Sequence, residues 1–152
     1  QLIQNSATGC TMMLNQALVR AALPVPVEAI MHDWWVALVA AAIGTVATVP
    51  GQLLDYRQHQ ANVFGAGGLR LSRLAARFTA PGAVRKRFVR AAAQAEILLA
   101  RHGSVMTASQ VSLCRAFADL PQRGWLGRRA TVMRYGFWMS GVRRNIGMMA
   151  LL

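Results

Sequence analysis

Residues 30 to 44 read IMHDWWVALVAAAIG. Two ionisable side chains, His32 and Asp33, stand directly before two tryptophans and an almost wholly apolar run. The 152-residue chain holds only five Asp and Glu, so the placing of this one is informative. The run predicts a buried helix that starts near Asp33, whose oxygens can accept the free N–H groups of a first turn, and that stops at Gly44. Apolar neighbours disfavour the charged form of a carboxylate. Asp33 is therefore either a capping residue or a working carboxylate.

Working outward, apolar residues recur at helical spacing from Met12 to Ala22, and LPVP at Leu23 to Pro26 ends that helix. Beyond Gly44, TVATV and LLDYR flank Pro50-Gly51 and read as a hairpin or two short strands. QHQANVFGAGG reads as a loop. Trp34 to Leu54 carries no charge over 21 positions, enough to span a bilayer. Gly44, Thr45, Thr48 and Pro50-Gly51 interrupt it, however, and irregular backbone facing lipid would be left without partners. A buried helix plus strand is the expectation.

After Gly67 the character changes to helices with basic faces. PGAVRKRFVRAAAQAEILLARHG has Pro81 at its first turn, Gly103 at its end, and Val84, Phe88, Ala91, Ala92 and Ala95 available for a packed stripe. Further helices are expected over Thr107 to Leu120 and Arg123 to Arg134. The closing YGFWMSGVRRNIGMMALL mixes Phe137, Trp138, Met139, Met148 and Met149 with Arg134, Arg143 and Arg144. It fits a helix lying in a membrane interface, or a core-packed helix with a solvated basic face.

The net charge of +12 is unevenly spread. Residues 1–65 hold Arg20 and Arg57 against Glu28, Asp33 and Asp55, whereas residues 66–152 hold fifteen cations against Glu96 and Asp119. Such a basic half suits anionic lipid, nucleic acid or a polyanionic substrate. Cys10 and Cys114 have no CxxC neighbour and read as reduced thiols of a cytoplasmic protein, small and buried rather than nucleophilic. QLIQNSATGCTMM has neither a basic n-region before an apolar stretch nor a cleavage site, so no signal peptide is expected. With Gln1 in first place the chain reads as a fragment.

Three stretches draw chemical attention. TGCTM, at Thr8, is a Gly-centred loop that can bring backbone N–H groups to an anion. MHDWW carries Asp33, a helix cap or a general base. YRQHQAN sets His59 between Arg57 and Asn62, where it can ligate a metal, bind phosphate or simply stand in solvent.

In this order and spacing, TGCTMMLN, MHDWWVALVAAAIG and LLDYRQHQANVFGA resemble the C-terminal half of family 2 glycosyltransferases of the GT-A fold, near the rhamnosyltransferase-like branch that builds bacterial O-antigen. The resemblance covers Asn5 to Ala66, and the basic tail more loosely. It implies an α/β fold: residues 1–66 as the C-terminal part of the catalytic domain, with short strands and helices, and residues 67–152 as a mainly helical basic extension. It implies that Thr8, Gly9, Cys10 and Thr11 form a loop beside donor and acceptor and that Asp33 is the catalytic base. His32 stands where the family usually has Glu. Trp34 and Trp35 would shape the acceptor pocket and pack the helix. His59, with Arg57, Gln58 and Asn62, would hold a divalent metal, Mg²⁺ or Mn²⁺, or the donor diphosphate.

Inverting transfer needs a carboxylate to take the proton of the acceptor hydroxyl as the anomeric carbon is attacked. The leaving nucleoside diphosphate needs cations. The implied partners are a nucleotide-sugar donor, a lipid-linked saccharide acceptor and the anionic inner face of the cytoplasmic membrane, with no nucleic acid. Yet the five acids contain no Asp-X-Asp motif, so the chain is expected to lack the nucleotide-binding half and to be inactive alone. A metal phosphohydrolase suggested by His32-Asp33 lacks the further His and Asp ligands it needs. A non-catalytic basic module that binds membrane or nucleic acid explains the tail but leaves the three motifs unexplained.

Overall fold

The computed structural model describes residues 2–55 and 81–151. Six α-helices carry the described fold: α1 (Gln16–Ala22), α2 (His32–Ile43), α3 (Pro81–His102), α4 (Ala108–Ala118), α5 (Trp125–Tyr135) and α6 (Val142–Leu151). Short 3₁₀ turns stand at Gly9–Thr11 and Leu120–Gln122.

Each helix end has a local cause. Asn15 stands before α1 in extended conformation and accepts the Leu18 N–H at 2.9 Å, satisfying one donor of the first turn. Thr107 and Gln110 form a reciprocal capping box at the start of α4, and the Gln110 amide oxygen accepts the Thr107 N–H at 2.8 Å. At Gly136, φ is +66°, the left-handed turn that closes α5 and that glycine adopts without a Cβ penalty.

The core is continuous across the described chain. α2 is buried nearly all round from Asp33 to Ala40, and α3 packs it with Ala91, Ala95 and Leu98. Phe88, Phe117 and Phe137 extend the core edge-to-face, with ring centroids 5.6 and 5.1 Å apart. Two polar groups fix the register of α2. Gln94, wholly buried on α3, accepts the Ile30 N–H at 3.0 Å, and the Trp35 indole N–H donates to the Ala22 carbonyl at 2.8 Å. Arg101 reaches the Pro24 carbonyl, and its guanidinium lies over the Trp35 ring, 5.5 Å from the centroid. At the far end, the Gln4 amide and Ser140 exchange three hydrogen bonds of 2.8 to 3.1 Å, tying the N-terminal segment to the loop before α6.

The expected α/β architecture is overturned, and a GT-A fragment with short strands goes with it. No strand occurs among the described residues. TVATV and the described part of LLDYR carry no regular structure and are exposed throughout. β-branched alternation supplies propensity, but a strand forms only against a partner that takes its N–H and C=O groups. The boundary between residues 66 and 67 lies outside the described residues. Among the described residues no helix is long and apolar enough to cross a membrane; α2 stops after 12 residues.

Candidate functional site

The N-terminal segment folds over the start of α2 and surrounds Asp33 with donors. Met31 takes the N-cap position, so Asp33 falls one residue inside the helix, only 5% exposed. Its Oδ1 accepts the Asn5 side-chain amide at 3.0 Å and the Trp34 N–H at 2.6 Å. Its Oδ2 accepts the Gly9 N–H at 3.1 Å. The negative charge also sits at the positive end of the helix dipole. Asn5 is itself fixed, its oxygen accepting the Ala7 N–H at 3.0 Å.

TGCT forms the 3₁₀ turn that delivers Gly9. The Thr8 carbonyl accepts both the backbone N–H and the hydroxyl of Thr11 at 2.8 Å. A Cβ on Gly9 would lie 3.2 Å from His32 Nε2 and 3.5 Å from Asp33 Cβ. Glycine therefore permits the close approach that makes the hydrogen bond. Thr8, Cys10, Thr11 and His32 are exposed around this point, so the expected burial of the Cys10 thiol does not hold.

The structure thus brings Gly9, His32 and Asp33 together, with Thr8, Cys10 and Thr11 at the rim. It places Trp34 and Trp35 elsewhere: both are wholly buried in the core, facing α1 and α3. Arg57, Gln58, His59 and Asn62 lie outside the described residues, and so does the metal or diphosphate site expected at His59. Asn5 went unread in the sequence because a contact across 28 residues leaves no local signature.

The metal ligand expected from the resemblance, His59, lies outside the described residues. None of the described residues form a group of three or more His, Cys, Asp or Glu able to hold a metal ion, and the carboxylate of Asp33 faces three N–H donors instead. What this arrangement can do is hold a carboxylate in one fixed plane. A carboxylate has about four acceptor positions, and three are taken, so one remains on Oδ2.

Comparison of the chain with protein-family models, with characterised proteins and with solved structures finds no match.

Proposed function

We propose that this chain contributes the acceptor-side base of a sugar transferase, with Asp33 as that base. The observation that carries the reading is the hydrogen bond from Gly9 N–H to Asp33 Oδ2. It joins TGCT and HDWW, two of the three motifs that resemble family 2 glycosyltransferases, at one carboxylate. Among the described residues a helical setting replaces the GT-A setting of the expectation, and the chemistry is proposed on the carboxylate alone.

In that chemistry the acceptor hydroxyl enters beside His32 and the Gly9 turn and donates to the remaining position on Oδ2. Its oxygen attacks the anomeric carbon while its proton passes to Asp33. The bond from that carbon to the nucleoside diphosphate breaks, and the leaving oxygen keeps the electron pair. The donor and any metal it carries are held by groups other than the described ones. The acceptor is a lipid-linked saccharide of a bacterial surface polysaccharide, and a rhamnosyl donor follows the resemblance most closely.

The test is transfer of radiolabelled sugar from nucleotide-sugars to lipid-linked saccharide, by the polypeptide as its host makes it. Asp33→Asn lowers the rate by about 10² to 10⁴ with donor binding unchanged. Asn5→Ala, which loosens the carboxylate without removing it, costs less. Near-parental turnover by Asp33→Asn would reduce Asp33 to a structural acceptor.

A further inference from the structure

We infer that the α5–α6 segment is a membrane-docking face that inserts apolar side chains among anionic lipid headgroups. This goes beyond sugar transfer and stands or falls separately from it.

The membrane-interface reading of the tail rested on Phe137, Trp138, Met139, Met148 and Met149. The structure moves that face. Phe137 and Met148 are buried, and Met139 and Met149 are half-buried against the core. The side chains left in solvent are Trp125, Leu126 and Met133 of α5, Trp138 of the connecting loop, and Val142 and Ile146 of α6. Leu126 is 74% exposed, Val142 75% and Ile146 65%.

Helical spacing groups them. Leu126 and Met133 are two turns apart on α5, and Val142 and Ile146 are one turn apart on α6. One hydrogen bond ties the two helices, the Arg129 guanidinium donating to the Met149 carbonyl near the end of α6, and α6 packs on α3. The same guanidinium stacks 3.7 Å from the centre of the Trp125 ring. A cation and an indole are thus held as one amphipathic unit, a pairing that suits headgroup depth.

Charge selects the occupant. From Leu120 to Leu152 the chain holds six arginines and no acid, whereas a protein partner's surface carries both signs. Another exposed apolar run, Val46 to Leu54, has no cation and borders Asp55. Apolar anchors on an arginine-rich segment without acids, on helices too short to cross, fit a bilayer rich in anionic lipid.

The experiment is flotation of the full chain with vesicles of phosphatidylcholine alone, or of three parts phosphatidylcholine to one of phosphatidylglycerol. Binding is expected only to the anionic vesicles. Val142→Asp with Ile146→Asp should weaken it on the order of 100-fold. Val46→Asp with Leu53→Asp, which adds the same charge to the Val46 to Leu54 run, should change it by less than about threefold, since distant charges are screened.

Trp34 and Trp35 are buried, so quenching of fluorescence by brominated lipid should vanish in Trp125→Phe with Trp138→Phe. This second variant reads the face even if the aspartates disturb folding. Equal binding to neutral vesicles, equal weakening by the two aspartate pairs, or quenching that survives without Trp125 and Trp138 would each overturn the inference. So would a short DNA duplex that displaces the chain from vesicles and binds the Val142→Asp, Ile146→Asp variant as tightly as the parent.

Discussion

Replacing Asp33 by Asn tests the geometry of the site apart from any activity. The carboxylate is acceptor-only and meets three donors: Asn5 and Trp34 on Oδ1, Gly9 on Oδ2. An amide has one oxygen. If that oxygen takes the Oδ1 position, two bonds survive and the new NH₂ faces the Gly9 N–H across 3.1 Å, donor against donor. The opposite orientation loses two bonds and is worse. The favoured variant forfeits one charge-assisted bond, about 1.5–3 kcal/mol, and part of the helix-dipole term, about 0.3–1 kcal/mol. Gly9 is only half-buried, so water recovers some of its donor. A net loss of about 2 kcal/mol follows, or roughly 4–8 °C in melting temperature for a chain of this size. Urea unfolding followed by circular dichroism measures the loss. Native-state hydrogen exchange locates it: the Gly9 amide should lose protection while the Trp34 amide keeps it. A variant within about 0.5 kcal/mol of the parent, or one that frees the Trp34 amide instead, would refute the hydrogen-bond pattern.

Two further outcomes follow from titratable groups. Burial, and then the neighbouring Arg101 charge, hold the His102 imidazole below its usual 6.5, and its Nε2 is shut from solvent without a protein partner. The unfolded chain therefore binds the proton more readily, and stability falls as pH drops below about 6.5 towards the lowered value. His102→Gln should flatten that slope in urea titrations between pH 7 and 5; an unchanged slope would remove His102 as its source. Burial likewise pushes the Cys114 thiol up, whereas Cys10 is exposed. A chromogenic disulfide should label one thiol quickly, the same thiol that Cys10→Ser abolishes, and label the second only on unfolding. Two fast equivalents would contradict the burial of Cys114.

The helices were legible where punctuation is local. Gly44 closes α2, Pro81 and His102 bound α3 just before Gly103, and Thr107 caps α4. The strands were misread because TVATV has β-propensity without a ladder partner, and propensity yields to tertiary context. At the site, Asp33 is visible as an isolated acid beside an apolar run, and so is its acceptance of a first-turn N–H, met by Trp34; its partners from the N-terminal segment are not. The N-cap falls to Met31, and the carboxylate turns outward to Asn5 and Gly9, residues 28 and 24 positions upstream. Only the folded chain chooses such partners. For the tail, composition announces an amphipathic segment and leaves a membrane-facing and a core-packed helix both open; packing decides that Phe137 and Met148 face inward and Val142 and Ile146 outward.

The bonds between Gln4 and Ser140 span 136 positions, and they are adjacent in sequence to Asn5, the residue that steadies Asp33. Closing so long a loop carries its entropic cost before any contact rewards it. During synthesis, Gln4 waits for its partner until Ser140 has left the ribosome. The outer anchor of the segment that carries Asn5 is therefore completed late, and a chain released early, however helical, would lack that tie.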